Sequence, residues 1–136
     1  MIVMRQATEV AETSITCPGI PASVPAARQF VRATLTGSPR VDDLELIAAE
    51  LVTNAIHHTS SGREGGTFSL KVRHTPGQAR LEVTDQGSGI WRPSTPDSGG
   101  LAESGRGLVI VAALADEAGH RAVDGRSQVT WAMVTW

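Results

Sequence analysis

Three short stretches of this chain carry residue types suited to holding a nucleotide and moving a proton. Glu50 and Asn54 stand four apart in Glu50-Leu51-Val52-Thr53-Asn54, a spacing that on a helix sets a carboxylate and an amide side by side. The amide oxygen is a hard donor of the kind Mg²⁺ prefers. The carboxylate beside it can take a proton from a hydroxyl or water attacking a phosphoryl group. An exposed polar flank shows the same pair without any chemistry. Asp85-Gln86-Gly87-Ser88-Gly89 follows an alternating apolar segment, so Asp85 falls at a strand end. A carboxylate there can accept a hydrogen bond from an exocyclic amine such as that of adenine, and Gly87 and Gly89 let the backbone approach a flat base. An ordinary turn has the same composition. Gly105-Arg106-Gly107-Leu108 stands at the entry to a helical pattern, where free N–H groups and the helix dipole favour phosphate and Arg106 adds charge. A plain loop-to-helix junction explains that stretch equally. In this order and together, the three describe an ATP pocket that has no need of a lysine-bearing phosphate loop.

Other chemistries find less in the chain. No Gly-Lys-Ser or Gly-Lys-Thr occurs, and the dinucleotide fingerprint is absent. His57 and His58 are adjacent, so on a helix they point about 100° apart and do not grip one ion as an i, i+4 pair does. Trp91, Trp131 and Trp136 read as packing or interface residues, with no stacking platform for bases. Cys17 is the single cysteine; it has no partner for an internal disulfide and reads as a strand-end hydrophobe. The net charge of -2 argues against direct nucleic-acid binding, although Lys71 is the one lysine among 12 cationic residues and a local arginine patch stays open. The start of the chain is no signal peptide, and no apolar run is long enough to span a membrane, so the cytoplasm is the expected location.

The 136 residues suffice for one domain with a true core, and 40% hydrophobic with 19% charged residues suits a globular chain. Residues 1–12 are expected to be a leader or an edge strand, with a single domain over 13–136. Ser14 to Cys17 predicts a short strand, and Pro25 suits the first turn of a helix running to about Leu35. The clearest element is the next helix. Asp42 or Asp43 is placed to cap it, and Leu44, Ile47, Ala48, Leu51, Val52 and Ala55 follow the helical period as one buried stripe. Glu50, Asn54 and His57 fall on the neighbouring flank. Thr67 to His74 and Gln78 to Thr84 predict antiparallel strands about a Pro76-Gly77 turn, with Phe68, Leu70, Val72, Leu81 and Val83 on one face. A long stretch rich in Gly, Pro and Ser follows to Ser104, of the sort that forms a functional or mobile loop. Leu108 to Leu114 predicts a helix ending near Gly119, and Arg121–Val123 and Val129–Val134 predict closing strands around Asp124-Gly125. The economical fold is α+β: a two-layer sandwich with helices on one face of a mostly antiparallel sheet.

This arrangement resembles the GHKL (Bergerat-fold) ATPase superfamily, which includes histidine kinases and gyrase. Within it the chain is similar to the anti-sigma-factor serine/threonine kinases of the RsbW and SpoIIAB type. The stretch Glu50 to His58 matches the N box, with His58 in the usual histidine place; Asp85 to Gly89 matches the first glycine box and Ser104 to Leu108 the second. The likeness spans roughly residues 15–135. It implies a cofactor pair of ATP and Mg²⁺, with Glu50 as general base and Asn54 as the metal ligand. Asp85 would read adenine, Gly87 and Gly89 would shape the base pocket, and Gly105, Arg106, Gly107 and Leu108 would hold phosphates beneath a lid at 90–104. It also implies an anti-anti-sigma (STAS-type) phosphoacceptor, an RNA polymerase sigma factor as second partner, and a homodimer. A non-catalytic nucleotide- or sigma-binding module of the same fold, or a bare ATPase, are the alternative readings. The chain departs from the family in its last strand. The usual Gly-Thr-x-Val pattern does not align with Gly125-Arg126-Ser127-Gln128-Val129-Thr130-Trp131, so the threonine near adenine stays unassigned, since a shift of one residue turns Thr130 to the opposite face.

Overall fold

The computed structural model describes residues 10–87 and 109–136. In chain order these hold β1 (Ala11–Pro18), α1 (Ser23–Thr34), α2 (Val41–His58), a single 3-10 turn at Ser60–Gly62, β2 (Thr67–Thr75) and β3 (Gln78–Asp85). A helical segment at 109–114, here α3, leads into β4 (Glu117–Ala122) and β5 (Gln128–Thr135). The five strands form one sheet in the order β1-β2-β3-β5-β4, antiparallel at every pairing.

Alternation along the strands decides which face is covered. Leu70 lies opposite Val83, Val72 opposite Leu81, and Leu81 opposite Ala132, so these side chains share one face, and all are buried. Ala27 and Val31 of α1, with Leu44, Ile47, Ala48, Leu51, Val52 and Ala55 of α2, pack onto that face as the other half of the core. Truncating one such residue, Leu81 for instance, costs about 2–5 kcal/mol. α1 and α2 are also tied to each other through Glu45, which is buried and takes Arg32 and, at 3.5 Å, Arg28. The opposite sheet face carries a polar ladder instead. Arg73 pairs with Glu12 at 3.0 Å, Arg80 with Glu82 at 2.7 Å, and the Arg80 guanidinium stacks 4.0 Å from the centre of the Trp131 ring.

Three local expectations are corrected. α2 begins at Val41 after Arg40, with no side-chain cap. Both candidate caps, Asp42 and Asp43, lie inside the first turn and are engaged by arginines, Asp42 by Arg32 and Asp43 by Arg40 Nε at 2.8 Å. They still lie where the helix dipole favours an anion. β1 runs over Ala11–Pro18 rather than Ser14–Cys17, because it pairs with β2 as far as His74. β4 runs over Glu117–Ala122 rather than Arg121–Val123, so Gly119 sits inside a strand. The reason is Trp131: a Cβ on Gly119 would stand 2.7 Å from its indole, so only glycine lets that ring lie against β4.

Candidate functional site

The stripe that seats α2 on the sheet leaves Asn54 looking toward β4 and β5. There it lines a cavity of about 220 Å³ together with Leu51, Val111, Ala118, His120 and Thr130. Thr130 is buried on the covered face opposite Val83, and its Oγ1 lies 2.9 Å from His120 Nδ1. Burial lowers the His120 pKa below its ordinary value, which favours the neutral imidazole. Glu50 is half-buried one turn before Asn54 and does not line this cavity.

Asp85 ends β3 on the same face. It is only 3% exposed, and desolvation raises its pKa to about 6, with the Gly87 N–H pulling weakly the other way. That N–H donates to Asp85 Oδ1 at 2.7 Å. Gly87 has φ +62°, and a Cβ there would meet the Arg126 carbonyl oxygen at 2.9 Å, so both conformation and space call for glycine. The turn is held from behind. The Gln86 N–H donates to Oγ of the fully buried Ser61 at 2.9 Å, and the Thr67 N–H donates to Gln86 Oε1 at 3.1 Å. A compact backbone knot supports Ser61 itself, because a Cβ on Gly19 would overlap its carbonyl.

Register connects the two parts. Asp85 lies directly opposite Gln128, and Val83 opposite Thr130. Gln128 and Thr130 are therefore on the covered face, about 7 Å apart along β5. The buried Asp85 carboxylate and Thr130, which lines the cavity with Asn54, thus stand on adjacent strands of one sheet face, two register positions apart.

Of the residues singled out from sequence, Asn54 lines the cavity, Asp85 and Gly87 form the turn at the end of β3 on the same sheet face, and Glu50 lies one turn before Asn54 on α2. His58 lies at the C-terminal end of α2, exposed and outside the cavity; its ring meets His57 edge-on with centroids 6.2 Å apart. Desolvation, then the neighbouring His57, lowers the His58 pKa. Gly89, Gly105, Arg106, Gly107 and Leu108 lie outside the described residues, as does the segment 90–104. Sequence reasoning passed over His120 and Gln128, and left Thr130 undecided. The signal for Gln128 is a count along β5 that only the β3–β5 pairing anchors. Cys17 is buried, and desolvation raises its thiol pKa, as suits a core residue.

The covered sheet face fits a nucleotide on two counts. It offers a desolvated acceptor at the end of β3, and Gln128 Oε1 is buried with no hydrogen-bond partner among the described residues. Among those residues no three His, Cys, Asp or Glu side chains gather as a metal cluster. The Asn54 amide oxygen is a hard donor of the sort that suits Mg²⁺ carried by phosphates, and Glu50 stands one turn before it on α2.

The chain is similar to proteins of known name. The serine-protein kinase RsbW of Bacillus pumilus is 31% identical over 133 residues, covering 81% of this chain and 80% of that protein. Anti-sigma F factors from two strains of Clostridium botulinum are each 28% identical over 82 residues. Those matches cover 56% of this chain and 57% of each relative, so the chain spans little more than half their length. No helix among the described residues is long and apolar enough to cross a membrane. Residues 17–133 match the histidine kinase-like ATPase domain, consistent with the α+β architecture, and the chain belongs to that family.

Proposed function

We propose that this chain is an ATP-dependent serine/threonine-protein kinase that acts as an anti-sigma regulator. It phosphorylates an anti-anti-sigma protein of the STAS type and, in its other state, holds an RNA polymerase sigma factor. These partners place its action in the cytoplasm, as a homodimer. The observation that carries the reading is the cavity lined by Asn54 and Thr130, with the buried Asp85 on the same sheet face two register positions away on the neighbouring strand. Its relatives include a protein named as a serine-protein kinase and others named as anti-sigma factors.

Each residue has a separable task. Asp85 accepts a hydrogen bond from the adenine amine, and Gly87 keeps the backbone out of the way of the ring. Asn54 supplies an oxygen to Mg²⁺, which neutralises phosphate charge when bound. Glu50, one turn earlier on the same helix, accepts the proton from the attacking serine or threonine hydroxyl. A positioned carboxylate base contributes about 10²–10⁴ in rate.

Incubation with labelled ATP, Mg²⁺ and candidate anti-anti-sigma proteins tests the proposal. Transfer of label to a serine or threonine is expected, and Glu50→Ala should lower it by about 10²-fold or more while ATP still binds. Binding of ATP with no transfer to any acceptor would leave a nucleotide-dependent binding module instead. Phosphate release without a protein acceptor would leave a bare ATPase.

A further inference from the structure

Gln128 opens β5 directly opposite Asp85, the last residue of β3. Directly opposed residues of an antiparallel pair have Cβ atoms about 4.5–5.5 Å apart and share a face. The Gln128 stem lies beside the Asp85–Gly87 turn, its Cγ 3.8 Å from where a Cβ on Gly87 would stand. At the end of that stem Oε1 is buried and lacks any partner among the described residues. An acceptor left in this state costs about 1–3 kcal/mol, so it favours a ligand that brings a donor. The same ligand must suit Asp85, whose carboxylate, when ionised, only accepts. Two acceptors thus stand on directly opposed residues of one sheet face, and the Gln128 amide adds a donor beside its own acceptor.

We propose that Gln128 is a second base-reading residue, pairing its amide with the amine edge of adenine while Asp85 takes the other amine hydrogen. The inference rests on the nucleotide reading above. An aminopurine places an amine donor next to a ring-nitrogen acceptor, which is the complement of a carboxamide; glutamine and asparagine recognise adenine by this pairing. Oε1 accepts from the amine and Nε2 donates to the ring nitrogen. Hypoxanthine and guanine carry a carbonyl oxygen where adenine has its amine. That oxygen would face both Oε1 and the Asp85 carboxylate, acceptor against acceptor. Gln128 therefore sets preference for adenine against 6-oxopurines and does not merely fill space.

The test compares the Kd of ATP and of ITP for the full chain, wild type and Gln128→Leu, by fluorescence or calorimetry, with the thermal melt of each protein in the absence of nucleotide. The wild type is expected to prefer ATP. In Gln128→Leu the preference should shrink by about tenfold, the scale of one lost bidentate base contact. Its nucleotide-free melting temperature should rise, because the unpaired acceptor is gone. Gln128→Met, of similar length, gives the same comparison if the branched side chain does not fold. An ATP-to-ITP ratio unchanged in a folded variant overturns the role of Gln128 while leaving ATP binding intact. No binding of either nucleotide by the wild type overturns both this inference and the proposed function.

Discussion

The two ends of the sheet use the same chemical groups for opposite purposes. At one end Arg40 donates to the Leu114 carbonyl at 2.8 Å and to the Thr135 carbonyl at 3.2 Å, while its Nε holds Asp43. Asp116 Oδ2 accepts from the Thr135 N–H at 2.7 Å and from its hydroxyl at 2.9 Å, and these bonds hold the Asp116 pKa below its ordinary value. At the other end Asp85 accepts from Gly87, yet burial drives its pKa up to about 6, and Gln128 Oε1 on the residue opposite has no partner among the described residues. Asp116 is exposed and well supplied with donors, so it fastens the chain. Asp85 is desolvated and undersupplied, so it holds capacity for a ligand. Satisfied polar groups build the fold, and a buried acceptor without a partner among the described residues, such as Gln128 Oε1, is a candidate for a ligand.

The largest effect expected from this contrast is at Asp85. Asp85→Asn should weaken ATP binding by more than tenfold, because an amide is a poorer acceptor for the adenine amine. The same change should stabilise the nucleotide-free protein at pH 7 by about 1–3 kcal/mol, since it removes a carboxylate ionised against desolvation. Urea melts and nucleotide titrations measure the two separately. A variant that loses stability, or binds ATP as before, would place Asp85 with the fasteners.

Arg40→Met is the mirror experiment. It leaves two carbonyls short of a donor and should lower stability by about 1–2 kcal/mol, tempered by the partial exposure of the side chain. ATP affinity of the folded protein should stay within about twofold, the ends being far enough apart to act independently. A parallel loss of affinity would show that the two ends are coupled.

The next effect is on pH. The folded pKa of Asp85 is about 6 against an ordinary 3.8, so the native state holds the extra proton between those values. Its contribution to stability is present below the unfolded pKa and is lost as pH rises through the folded value. Binding of adenine has the opposite sign, because the ionised carboxylate is the better acceptor. Affinity for adenosine, a probe whose binding is free of phosphate titration, should fall about tenfold from pH 7 to pH 5. The Asp85→Asn protein should show a flatter profile, and equal slopes would assign the titration elsewhere.

The smallest effect is expected at Thr130. Thr130→Val removes the hydroxyl beside His120 Nδ1 and should weaken ATP binding only a few-fold, as one neutral hydrogen bond is worth about 1 kcal/mol. NMR titration of His120 should report its altered pKa in the same variant. A loss of affinity as large as that of Asp85→Asn would move the centre of recognition from the strand end into the cavity.

Local patterning by itself determined much of this molecule. The period of Leu44, Ile47, Leu51 and Val52 sets the face of α2, and with it the flank on which Glu50 and Asn54 stand. Alternation of Phe68, Leu70 and Val72, and of Leu81 and Val83, likewise sets the inner face of β2 and β3 and puts Asp85 at a strand end. These features repeat over a few residues, so a window of sequence contains them. The pairing of β3 with β5 was decided only by the tertiary structure. The two strands are far apart in the chain and are joined by no tight turn that would set their register, so the packing of the whole core aligns Asp85 with Gln128 and turns Thr130 inward. The pKa of Asp85 belongs to the same class. Burial is a sum over neighbours from distant stretches, and no spacing of residues along the chain encodes it.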